Sequence, residues 1–178
     1  MLEDRDIKIA SDKPSADIKR HKLEADAAHN RAYTTMGNEL GRAVAEKFIE
    51  AIKNQTLGGE TDNAELLLQR QILLSFAAIS GFEQFCKDGD YLSAAKRSFL
   101  EHLKNNNPEL YAGATDNGAL SFYYLAFRRG SEVERRIGQT FAMLCSHDGD
   151  PVYHELGEAL YCWFTSVIKK TEKSISNT

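Results

Sequence analysis

The chain has 178 residues, the size of one domain, and a formal net charge of −4 from 22 lysines and arginines against 26 aspartates and glutamates, which argues against a nucleic-acid partner. Leu, Ile, Val and Phe account for 41 of 178 residues, about 23%, above the level of roughly 20% below which a chain is suspected of disorder. The longest apolar stretch, residues 72–79, is interrupted by Ser75 and falls far short of the ~20 residues needed to cross a bilayer, so no membrane role is expected.

Twenty alanines and 18 leucines stand against four valines, and β-branched residues are what strands prefer, so the chain reads as all-α. The expected architecture is a single up-and-down bundle of five to six helices around a central apolar helix at about 62–87, preceded by a disordered tail over residues 1–13. That tail is charged throughout, with neither an apolar stretch nor a small-residue cleavage site, so it predicts no secretory signal. Residues 14–178 are expected as one helical domain, in the cytoplasm.

Helix 1 is predicted from Ser15 to about Gln55, with Met36, Leu40, Val44, Phe48 and Ile52 forming an apolar stripe. Its N-terminal half, Asp17 to Arg31, offers only Ile18, Leu23 and small alanines. It therefore projects, breaks near Thr34–Asn38, or packs on a second subunit. Leu57-Gly58-Gly59 ends the helix, and Asp62 with Glu65 has the spacing of a capping box that opens helix 2. Helix 2 is apolar on nearly every side to Phe85, as expected of a helix surrounded by others.

Asp88-Gly89-Asp90 predicts a left-handed glycine stop with a new cap at Asp90, so helix 3, about Tyr91–Lys104, returns antiparallel. Pro108–Tyr111 reads as one helical turn. Helix 4 is expected over about Asp116–Arg129, and helix 5 opens with Ser131 and Glu134 as a second capping box. Helix 6 starts with Asp150 as cap and Pro151 as first residue, runs to about Lys170, and buries Val152, Leu156, Ala159, Leu160, Trp163 and Val167. Asp-Gly-Asp occurs at both 88–90 and 148–150, which reads as two hairpins using the same turn chemistry rather than a repeat.

Motifs for chemistry are sparse. The KDGDYLSAAK segment resembles half of an EF-hand loop, but with Asp88 at the first or the third position the glycine and glutamate positions are both unfilled. His147, Asp148, Asp150, His154 and Glu158 form the densest polar cluster. HELGE, however, lacks the second histidine of a zinc-binding HExxH. No histidine has a glutamate three residues before it, as a di-iron bundle requires, and neither GxSxG nor GxGxxG occurs. Cys86, Cys145 and Cys162 lack CxxC spacing and read as buried free thiols in a reducing compartment.

No cofactor or metal is expected, and no catalytic residue stands out. The leading expectation is a non-enzymatic interaction or regulatory module that self-associates through the N-terminal half of helix 1. The alternative is a small-molecule site walled by Tyr123, Tyr124, Phe127 and Trp163, with Arg128 and Arg135 supplying charge. Metal-assisted hydrolysis at residues 147–158 ranks third.

Overall fold

The computed structural model describes residues 16–54 and 64–177. They form seven α-helices and no strand: α1 (Ala16–Lys53), α2 (Ala64–Phe85), α3 (Gly89–Asn106), α4 (Pro108–Ala114), α5 (Asn117–Arg128), α6 (Val133–Leu144) and α7 (Pro151–Ser176). The protein is an all-α bundle. The seventh helix, beyond the five to six expected, is α4, where the stretch read as one turn from Pro108 continues to Ala114. Asn107 caps it by accepting from the Leu110 N–H at 3.2 Å. The tail over 1–13, the Leu57-Gly58-Gly59 stop and the Asp62 cap lie outside the described residues.

The chain divides into two units, residues 1–32 and 33–178, and the boundary falls inside α1, which is one helix from Ala16 to Lys53. In the first unit, residues 20–32 are exposed at every position. In the second, the four-residue spacing of the α1 stripe does what it predicts: Leu40, Val44 and Phe48 are fully buried, with Met36 and Ile52 flanking them.

Helix α2 is the core of residues 33–178. It packs against α3, α4, α5, α6 and α7, and nearly every position from Arg70 to Phe82 is buried. Its first turns are less enclosed than expected: Leu68 is exposed, and Glu65 accepts from Ser146 Oγ at 3.2 Å. Phe76 is the hub. The rings of Tyr123, Tyr124, Phe127 and Tyr161 lie 5.1–6.2 Å from it, in stacked and edge-on arrangements that add to the burial of each ring.

Two turns depart from their expected chemistry. At 88–90 the cap is Asp88, whose carboxylate accepts from Asp90 N (2.9 Å) and Tyr91 N (3.1 Å), while Gly89 is the first helical residue and is not left-handed. At 148–150 the second Asp caps α7, accepting from Val152 N at 2.9 Å, and Gly149 takes φ +81°. One tripeptide thus starts two helices in frames two residues apart. Ser131 does not cap α6. The cap position is Glu132, left-handed at φ 52° with no capping hydrogen bond, and its carboxylate pairs instead with Arg135 at 3.2 Å.

The buried face of α7 is rotated from the expected one. Gly157, Leu160, Tyr161, Phe164 and Ile168 are buried, whereas Val152 is 68% and Trp163 48% exposed and Ala159 is exposed as well. Glycine sets this phase. An added Cβ at Gly157 would strike Phe141 Cβ at 2.5 Å, and one at Gly138 of α6 would run into the His154 carbonyl of α7. Gly81 of α2 likewise leaves room for Ile168, 2.7 Å from where its Cβ would be. Gly37 and Gly41 do the same where α1 meets α3 at Tyr91, Ala94 and Ala95, and Ser98 Oγ donates to the Asn38 carbonyl there at 2.7 Å. Backbones in such contact gain dispersion over their whole length, and a methyl group has nowhere to go.

Gly138→Ala is expected to cost about 1–3 kcal/mol in chemical denaturation, through overpacking. Gly113→Ala, inside α4 with nothing within 4 Å, is expected to gain up to about 1 kcal/mol from its higher helix propensity. Equal effects at the two positions would mean that α6 and α7 are not in backbone contact.

Candidate functional site

An apolar groove of about 510 Å³ lies between the end of α1, the start of α2 and one face of α7. Its α7 wall is Leu156, Ala159, Leu160, Trp163, Phe164 and Val167, largely the residues read from the sequence as that helix's core stripe. α7 thus carries two apolar stripes. One is seated on α2 and α6, and the neighbouring one faces the groove. Trp163, the chain's single tryptophan, rests against Phe164 with ring centroids 5.7 Å apart, and Phe164 in turn contacts Phe48 of α1 at 6.1 Å.

The opposite wall is polar and comes from Lys47, Glu50, Asn54 and Arg70. Arg70 is only 5% exposed, and its Nη2 donates to the Ala51 carbonyl at 2.8 Å and the Asn54 carbonyl at 3.4 Å. The last carbonyls of a helix lack partners and carry the negative end of its dipole, so a guanidinium there satisfies both hydrogen bonding and charge. Sequence reading missed Arg70 because it sits between Gln69 and Gln71, in what reads as a short polar break between the apolar runs 66–68 and 72–74. The available signal was a lone cation in a stretch bound for burial, which needs fixed acceptors.

The residues expected to wall a ligand site are divided by the fold. Tyr123, Tyr124 and Phe127 gather on Phe76 and belong to the core, with the Tyr123 hydroxyl fully enclosed and without a hydrogen bond. Trp163 lies in the groove instead. Arg128 and Arg129 are exposed, Arg135 pairs with Glu132, and Arg136 Nε donates to the Ala126 carbonyl at 3.1 Å, close to the end of α5. Arg135 and Arg136 are therefore held by separate partners within the bundle.

In the 147–158 cluster, the His147 ring stacks on Tyr153 at 3.8 Å and its Nδ1 lies 3.9 Å from the Asp150 carboxylate, whose other oxygen caps α7. No three His, Cys, Asp or Glu side chains among the described residues converge as metal ligands would. No described helix is long and apolar enough to cross a membrane. Comparison with protein-family models, with curated proteins and with solved structures returned no match for this chain.

Cys86 and Cys145 are buried, but Cys162, expected to be buried, is exposed on α7. Burial pushes the Cys86 and Cys145 thiols up to about 12, helped by Glu172 at the first and Glu65 at the second. Cys162 is raised as well, by partial burial and then by Glu134 and Glu158. The folded chain therefore holds these protons more tightly than the unfolded chain. Stability is present in full below about pH 9 and is lost as pH climbs from about 9 toward 12, where only the unfolded chain sheds its protons. Denaturation midpoints should fall steadily across that window. At about pH 8 a thiol reagent should titrate Cys162 alone, with Cys86 and Cys145 reacting only after unfolding. Reaction of all three thiols in the native protein would contradict the enclosed core.

Proposed function

We propose that this protein is a binding module rather than a catalyst, and that its working surface is the α1–α2–α7 groove, which takes a small apolar guest. The observation that carries this reading is the second apolar stripe of α7. An interior-type surface left open beside a tryptophan 48% exposed, in a volume of about 510 Å³, has the size and lining of small-molecule sites, which run from roughly 300 to 1,000 Å³. A guest there would recover burial of the kind that drives folding, at about 25 cal/mol per Å² of apolar surface. Three free thiols suit a reducing, cytoplasmic setting.

The single tryptophan makes the test direct. N-phenyl-1-naphthylamine, a neutral apolar fluorophore, is expected to brighten on binding and to quench Trp163 by energy transfer. Ala159→Asp alters an exposed position and should leave the melting temperature unchanged, yet weaken the dye by about tenfold or more by placing a charge in the apolar wall. Equal binding by the variant would remove the groove as the site.

A second reading, self-association through the N-terminal part of α1, is supported by the run of exposed residues 20–32, in which Leu23 is 69% exposed. The charges there are mixed in sign, Arg20, Lys22 and Arg31 against Glu24 and Asp26. Glu24 lies 3.9 Å from Arg20 and 3.8 Å from His21, exposed pairs worth little by themselves. A helix of this length is marginal in water without a partner surface. Light scattering is expected to give a dimer mass for the full chain and a monomer mass for Leu23→Glu; identical masses would exclude this face.

A further inference from the structure

The exposed stripe of α7 has a spacing of its own. Val152, Leu156, Ala159, Trp163, Ser166 and Lys170 follow one another at alternating steps of four and three residues, the heptad pattern by which one helix lies along another. Leu156 is half-buried and the other five are exposed. Beside this seam, outside the lining of the groove, a second line of exposed residues recurs every seven positions: Glu155, Cys162 and Lys169.

Both lines complement themselves when reversed. A two-fold axis level with Tyr161 sets each Trp163 on the partner's Ala159, the bulkiest side chain of the seam against its smallest. It also sets Leu156 on Ser166 and Val152 on the stem of Lys170. Large against small lets two seams interdigitate, and a lysine stem covers apolar surface while its ammonium stays in water. In the flanking line the same axis brings Glu155 to Lys169 twice and the two Cys162 side chains together.

The charge along α7 points the same way. Asp148, Asp150 and Glu155 stand before or within its first turns, and Lys169, Lys170 and Lys173 in its last ones. An antiparallel copy therefore meets acid with base at both ends and opposes the helix dipoles, whereas a parallel copy sets like against like. Glu158 and Glu172 fall beyond the Glu155–Lys169 line, and Glu172 accepts from Ser176 Oγ at 2.6 Å. Lys169 lies over the Phe85 ring, 6.0 Å from its centroid, a contact that leaves its N–H groups able to reach a carboxylate.

From this arrangement we infer that the exposed stripe of α7 is a docking surface for α7 of a second copy of this chain, paired antiparallel. The contact is one helix face, at the low end of interface sizes, so the pair is reversible and forms at high protein concentration. It uses a different face from the N-terminal part of α1. It shares the α7 wall with the apolar guest proposed above and does not depend on that guest.

Cross-linking the full-length protein with bismaleimidoethane, at high protein concentration and low salt, tests the pairing, because Cys162 is the one exposed thiol. A dimer joined through Cys162 is expected on a denaturing gel. Glu155→Lys and Lys169→Glu should each lower its yield by about fivefold, since each turns two attractive pairs into repulsive ones. The double variant should restore it. Both positions are exposed, so melting temperatures should stay parental, and neither lines the groove, so dilute variants should bind N-phenyl-1-naphthylamine as the parent does. Absence of the cross-linked dimer overturns the inference. So does parental yield in both single variants, or a double variant no better than either. A parent chain that ignores the dye yet obeys the charge-swap rule loses the guest and keeps the pairing.

Discussion

The seating of α7 depends on glycine. Gly138, Gly157 and Gly81 remove the side chains that would otherwise hold α7 away from α6 and α2. With those gone, Tyr161, Phe164 and Ile168 reach the core beside Phe76 and Phe48. The same device sets α1 on α3 through Gly37 and Gly41. Glycine in a helix interior costs about 0.5–1 kcal/mol in backbone entropy relative to alanine, so contact along the paired helices has to return more than that at each position. The bundle accepts weaker helices in exchange for closer ones.

That close seating also creates the groove. Once α7 is turned so that Gly157 faces Phe141, its remaining apolar residues point toward the end of α1, where no further helix covers them among the described residues. Arg70 keeps the far wall in place by tying the α1 terminus to α2 through the Ala51 and Asn54 carbonyls. A buried cation held by backbone acceptors is rigid in a way that a surface lysine is not, because moving it would strand both the charge and the carbonyls. The groove thus has one wall of fixed polarity and one of exposed hydrocarbon.

The helical content and most helix positions were legible because they rest on local signals: four-residue apolar spacing in α1, Pro151 after Asp150, and the apolar mass of α2. The phase of α7 was not. Its sequence offers two adjacent apolar stripes, and counting large residues favours the one containing Trp163 and Val152. The deciding residue, Gly157, adds nothing to such a count and acts only through a partner on another helix. The same blindness hid the spacing of Gly37 and Gly41. At 88–90 and 148–150 identical letters adopt different backbones because Pro151 forces the second cap onto Asp150, while Asp88 is free to take the first. The groove draws on residues more than a hundred positions apart in the chain, and no local pattern encodes that meeting.

The position of α7 near the end of the described chain has a consequence for biosynthesis. Helices α1 to α6 emerge from the ribosome first, yet the partners of Phe48, Phe76 and Gly81 include Phe164, Tyr161 and Ile168. Until α7 is released, α2 has an open apolar flank and cannot complete its enclosure. At roughly 5–20 residues per second this interval lasts seconds, longer than helix formation by several orders of magnitude. Every nascent copy therefore passes through a period in which its most hydrophobic helix is half-covered and available to whatever chaperone or neighbouring chain reaches it first.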